Sequence, residues 1–218
     1  MPERIRRRPA LLETVRVIQG RAPLWPLHLP RLERSALALG IRLPAELDAP
    51  SGGADRICRF EFPGRGRVRL SERGIERPAG LRLRTSGVPH RGYRHKTTDR
   101  EWLDAARLDA ASRGADDVLL LSEDGCAAES SIWSVFWWED GRLAAPPLAF
   151  GILPGVARER LGELAGGLVE SRVPGARLPA LGPFLANAGR GIVPMRELDG
   201  ELIVPNDETE RLAAAFWP

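Results

Sequence analysis

Two Asp-Gly pairs, Asp124-Gly125 and Asp140-Gly141, sit between short alternating apolar runs and constrain this chain more than any other local signal. Asp-Gly accepts the left-handed backbone that tight hairpin turns require. The pairs predict strands over Val118–Leu121, through Glu129, over Ser134–Trp138 and over Arg142–Ala145. This is not the βαβ alternation of a doubly wound sheet.

The flanks add helices and further strands. Residues 10–18 alternate like a strand, and Leu29, Leu32, Ala36 and Leu39 recur at helical spacing up to Gly40. Ile57–Phe62 and Arg67–Leu70 read as a hairpin, and Leu81–Arg84 as another short strand. A helix is expected over 99–114, stopped by Gly114, and another from Val156 to about Ala165. Short strands follow near 168–172, 183–187 and 192–198, then a last helix capped by Asp207. The turn-rich run Ser86–Gly92 marks the expected boundary between a first domain, 1–87, and a second, 93–218. The expected fold class is mixed α/β (α+β): a small α/β domain, then a strand-rich one.

At 218 residues with 43% hydrophobic content, the chain can build a real core. It contains no run of about 18 apolar residues, so no membrane span is expected. The N-terminus lacks the apolar stretch of a secretion signal, which points to the cytoplasm. Cys58 and Cys126 are isolated, and free thiols fit better than metal ligands. No metal site is expected. The net charge is only +3, and the Arg6-Arg7-Arg8 cluster, with Arg4 before it, lacks a nucleic-acid motif. A solvated basic terminus and a small-molecule substrate are the expectation, with no nucleic acid or membrane partner.

Among the 32 basic residues counted as Lys plus Arg, Lys96 is the only lysine. A composition that uses arginine everywhere else suggests that Lys96 does something arginine cannot. A lysine amine can lose its proton when buried and can form a Schiff base. The alternative is a lysine kept on a solvated face. Three further features carry possible chemistry. Glu129 lies among small residues in a strand-rich stretch, where a carboxylate wants a cationic partner. Leu153-Pro154-Gly155-Val156-Ala157 opens a helix whose free N–H groups suit phosphate. Arg31, on the first helix, could clamp the same phosphate. Singly, each has a plainer reading: an edge-strand charge, an ordinary helix start, a surface arginine. Together they match what pyridoxal phosphate needs: a Schiff-base lysine, an acid for the pyridine nitrogen and an anion cup.

The chain resembles the fold type IV (class IV) pyridoxal-phosphate enzymes, and within them the aminodeoxychorismate lyases. The matching stretches include Glu13-Thr14-Val15-Arg16-Val17, His28-x-x-Arg31-Leu32 and His95-Lys96-Thr97-Thr98-x-Arg100. They continue through Gly114–Leu120, Glu129–Ile132, Pro146-Pro147-Leu148, Gly151–Val156 and Asn187–Pro194. The resemblance implies two domains with pyridoxal 5'-phosphate between them, and a homodimer. It implies Lys96 as Schiff-base lysine and proton carrier, and Glu129 on the pyridine nitrogen. It places Arg31, Val156, Ala157 and Ala188 around the phosphate and Arg100 near the phenolic oxygen. Thr14, Arg16 and Arg59 match places that face the substrate. The implied reaction converts 4-amino-4-deoxychorismate to 4-aminobenzoate and pyruvate. Transamination of branched-chain or D-amino acids, and a non-catalytic relative, are the alternatives. Departures from the family are the absence of strands usual ahead of Thr14, alanine at 157 and 188 where a hydroxyl residue is usual, and Trp133-Ser134 after the glutamate.

Overall fold

The computed structural model describes residues 9–218, so the arginine cluster at the N-terminus lies outside the described residues. The first element of the described residues is β1 (Leu11–Val17), which pairs antiparallel with β2 (Arg56–Phe62). β3 (Arg69–Arg73) completes a three-stranded sheet in the order β1-β2-β3. The expected second hairpin strand thus begins two residues later than the alternation suggested. Register puts Thr14 opposite Arg59 and Arg16 opposite Ile57, which in turn faces Arg73. Opposed residues share a face, so Thr14, Arg16, Arg59 and Arg73 all point to one side of this sheet.

The other side takes α1 (Trp25–Leu39), where Leu32 and Ala36 pack with Leu11 and Phe62. α1 buries Trp25, His28, Arg31, Leu32, Ser35 and Ala36, while Leu39 is 37% exposed. The predicted stripe through Leu39 is therefore turned. Buried polar partners on β1, described below, pull His28 and Arg31 inward. Gly40 ends the helix at φ +62°, as expected.

β4 (Leu81–Thr85) belongs to a second, nine-stranded sheet, although it precedes the Ser86–Gly92 run. The remaining elements are α2 (Glu101–Ser112), β5 (Asp117–Leu121), β6 (Ala127–Ser130), β7 (Ser134–Glu139), β8 (Arg142–Ala145), α3 (Val156–Leu164), β9 (Val169–Glu170), β10 (Phe184–Asn187), β11 (Gly191–Leu198), β12 (Glu201–Leu202) and α4 (Asp207–Ala215). Strands run β10-β11-β4-β5-β6-β7, and β7 pairs back onto β10, so six strands close into a ring. Asp140 and Gly141 have φ of 49° and 72°, the paired left-handed turn that their sequence called for. α4 is capped by Asn206, whose side chain accepts from the Glu208 N–H, and not by the expected Asp207, which is its first residue.

Alternation then sorts the ring's side chains. Leu83, Leu119, Val135, Trp137, Leu185 and Val193 fill one cluster. Their neighbours on the opposite faces pack outward: Phe136, Phe184 and Ala186 against α3 and α4, and Val118 and Leu120 against α2. Both faces are buried, which explains the near-continuous apolar runs of β5 and β7.

Gly151 sits in the left-handed region at φ +76°, and a Cβ there would lie 3.3 Å from the Gly92 Cα. Its carbonyl also accepts the Tyr93 N–H at 2.7 Å. Gly151→Ala is expected to lower stability by roughly 1–2 kcal/mol, the penalty of a left-handed L-residue. A urea midpoint equal to the parent's would show that the segment around Gly92 relaxes freely.

Candidate active site

The arginine face of the small sheet looks onto the ring, and between them lies a solvent-open cleft. Thr14, Arg59 and Arg73 line it from the small sheet. Glu129, the turn after β10 and the start of α3 line it from the ring side. Lys96, Arg31 and Arg100 complete the wall. Arg16 does not line it. Its guanidinium stacks on the Trp217 ring at 4.4 Å, the residue is 2% exposed, and none of its three nitrogens has a hydrogen-bond partner among the described residues. Of the substrate-facing residues expected from sequence, the structure thus brings Thr14 and Arg59 to the cleft but not Arg16.

Lys96 is held by its backbone. Its carbonyl accepts the Leu12 N–H at 2.8 Å, and the Thr98 N–H donates to Ala10 at 2.9 Å. The outward-facing groups of Thr97 are both taken by Tyr93, whose hydroxyl donates to the Thr97 carbonyl at 2.7 Å and accepts its N–H at 3.0 Å. Tyr93 is the chain's only tyrosine, a signal that sequence reading did not use. Burial lowers the Lys96 amine to about 7, with the guanidiniums of Arg31 and Arg100 adding to the effect.

Arg31 comes from α1, where its Nε donates to Glu13 Oε1 at 3.0 Å and its Nη2 donates to Glu13 Oε2. His28 Nδ1 lies 2.7 Å from the same carboxylate. Burial pushes the Glu13 carboxyl up, but Arg31 and His28 more than offset it and hold it at about 2. Glu13 and His28 stood in the matched motifs without a role. Their pairing across 15 residues is a helix-on-strand contact that no local pattern displays. Nη1 is then the Arg31 nitrogen not engaged by Glu13.

α3 opens at Gly155 without a side-chain cap, leaving the N–H groups of Val156 and Ala157 at the cleft wall for a ligand. Ala188 lies nearby in a turn built by Asn187, whose Oδ1 accepts the N–H groups of Gly189 at 3.0 Å and Arg190 at 2.8 Å. Opposite, Glu129 Oε1 lies 2.6 Å from His90 Nε2, and Oε2 accepts the Leu153 N–H at 3.3 Å. Sequence reading treated His90 as part of a turn-rich linker. Arg100 donates to Asp104 at 2.9 Å and to the Ser131 carbonyl at 3.3 Å, beside Lys96. At the open side Arg59 and Arg73 meet Arg190, which lies over Trp133 at 5.8 Å and pairs with Glu76 at 3.2 Å. Burial and the charges of Arg190 and Arg59 lower the Arg73 guanidinium, against the pull of Glu76.

Because the chain has one lysine, amine labelling read on the Lys96 peptide reports on it without interference from the α-amine. Acetylation of Lys96 in the cofactor-free protein should reach half its limiting rate near pH 7. Arg100→Met removes a like charge and should shift that midpoint to higher pH. A midpoint above 9 in the parent would contradict the half-buried, cation-flanked setting.

This constellation can be set beside known proteins. The sequence model of the Amino-transferase class IV family matches residues 72–198. A "Probable branched-chain-amino-acid aminotransferase" of Thermotoga maritima is 31% identical over 214 residues, covering 87% of this chain and 77% of the relative. The branched-chain aminotransferase of Thermoproteus uzoniensis with norvaline superposes with a TM-score of 0.84 at 22% identity, over 95% of this chain and 84% of that one. A "Putative 4-amino-4-deoxychorismate lyase" of Legionella pneumophila does so with a TM-score of 0.80 at 22% identity, over 95% and 91%. At those identities the two structures speak for the fold, which is mixed α/β as expected. The family match and the Thermotoga relative carry more: this chain is an enzyme of the class IV aminotransferase family, whose members work with pyridoxal phosphate.

Proposed function

We propose that the enzyme is a lyase converting 4-amino-4-deoxychorismate to 4-aminobenzoate and pyruvate. The observation that carries this reading is the charge of the cleft's open side. Arg59, Arg73 and Arg190 converge there from β2, β3 and the turn after β10. The substrate carries two carboxylates, which arginine recognises in bidentate fashion. A branched-chain amino acid brings only one carboxylate to these three arginines, of which Arg190 is also paired with Glu76.

The residues of the cleft suit the cofactor. Arg31 and the uncapped N–H groups of Val156 and Ala157, with Ala188 beside them, form an anion cup. Glu129 supplies an acid for the ring nitrogen and Arg100 a cation for the phenolic oxygen. When bound, the cofactor supplies an aldehyde that takes up the substrate amine and a ring that accepts electrons. Lys96, with an amine near 7, can both remove and return a proton at the carbon bearing nitrogen at neutral pH. Thr14 and Arg59 orient the substrate from the small sheet. The two-domain division and the homodimer implied by the resemblance belong to this proposal.

The second reading, a branched-chain transaminase, draws on the Thermotoga relative. Both are tested by offering 4-amino-4-deoxychorismate and, separately, leucine with 2-oxoglutarate. Pyruvate release from the first is expected, and Lys96→Arg should reduce it by roughly 10²–10⁴-fold. Amino transfer from leucine without pyruvate release would replace the lyase with the transaminase.

A further inference from the structure

Glu129 cannot orient itself. It lies on β6 beside Ala128 and Ser130, and pairing with β5 slips register next to it, from Leu120 opposite Glu129 to Leu121 opposite Ala127. Such a slip re-aims a side chain but does not fix its torsions. The small neighbours leave those torsions free, so whatever holds the carboxylate must come from elsewhere in the chain.

His90 comes from 39 residues away. Its side chain is 1% exposed, and its own N–H donates to the Leu121 carbonyl at 2.7 Å, tying it to the end of β5. The ring meets Trp102 edge-on, with centroids 5.4 Å apart and planes at 78°. Its Nδ1 accepts the Gly92 N–H at 3.1 Å. A ring nitrogen that accepts carries no proton, so the imidazole proton is on Nε2. That nitrogen lies 2.6 Å from Glu129 Oε1 and donates to it. With the Leu153 N–H on Oε2, one donor holds each carboxylate oxygen, and each oxygen keeps a lone pair for the cleft.

We propose that His90 is a positioning residue for the cofactor: as the neutral Nε2-protonated tautomer, it donates to Glu129 and aims that carboxylate at the pyridine nitrogen of pyridoxal phosphate. The proposal rests on the reading of Glu129 as the acid at that nitrogen. His90 touches neither substrate nor cofactor and acts only through Glu129. The arrangement also explains why a histidine stands in an irregular, turn-rich segment. Its ring spans from a backbone donor in its own turn to a carboxylate on the sheet.

The test compares two probes on cofactor-free protein: pyridoxal phosphate, and its analogue with C–H in place of the ring nitrogen. The dissociation constant of each is read by absorbance or by melting shift. A hydrogen bond to a charged group is worth about ten- to a hundredfold in affinity. The parent should therefore prefer the nitrogen-containing ring by that factor. His90→Leu should lose most of the preference while binding the analogue about as tightly as the parent. His90→Gln, whose amide can reach the same place with an N–H, should restore most of it. A merely structural role would weaken both probes alike, and that result overturns the proposal. If Glu129→Ala abolishes the preference but His90→Leu keeps it, the role of His90 is wrong while that of Glu129 stands. If the parent shows no preference, the reading of Glu129 fails and takes this one with it. Should His90→Leu not fold, nitrogen NMR of the parent decides, with the signal assigned by its loss in His90→Gln. A ring protonated at Nδ1 overturns the proposal, and one protonated at Nε2 alone supports it.

Discussion

The short antiparallel bridge between residues 10–12 and 96–98 is the contact on which the site depends. It joins the first strand of the small sheet to the segment carrying the lysine, through two backbone hydrogen bonds of 2.8 and 2.9 Å. An antiparallel pair leaves alternate residues facing away from their partner. Here that residue is Thr97, and one buried hydroxyl, on Tyr93, satisfies both of its backbone groups. The Lys96 carbonyl, both backbone groups of Thr97 and the Thr98 N–H are thereby paired, and the lysine is presented to the cleft from a stretch with no regular structure of its own.

Charge organises the rest. The cleft has far more cations than acids, and the buried acid behind it, Glu13, is already committed to Arg31 and His28. That commitment explains an α1 whose inward face carries a histidine and an arginine where a plain amphipathic helix would carry leucine. It also keeps a guanidinium close to Lys96, where it disfavours the charged amine. The same excess of positive charge suits the cleft to anionic groups.

Much of this was legible before folding. The Asp-Gly turns located β5 to β8, the lone lysine pointed to a residue that does line the cleft, and the Pro-Gly before Val156 marked an open helix start. What could not be read were contacts between distant elements. Leu39 looked as apolar as Leu32, yet β1 offers a carboxylate under His28 and Arg31, so the helix rotates toward them. Arg16 looked equivalent to Thr14, two residues away on the same face. Trp217, at the other end of the chain, draws it into a stack. β4 appeared to belong with the first half because it precedes the turn-rich run. Its hydrogen bonds, parallel to both β11 and β5, place it in the ring. His90 had no periodicity to betray it, and only the arrival of Glu129 gives its Nε2 a partner.

The closure of the ring bears on how the cleft meets its ligands. A closed circuit of hydrogen bonds has no slack: sliding one strand requires all six to slip together. Glu129 on β6 and the Asn187 turn between β10 and β11 are both fixed to that circuit. Arg59 and Arg73 stand instead on an open sheet whose outer strand, β3, is exposed at every residue and, among the described residues, has a free edge. The cleft therefore has one stiff jaw and one compliant jaw. The stiff jaw suits a group that stays in one place through every turnover, and the compliant jaw suits a molecule that arrives in one shape and leaves in another.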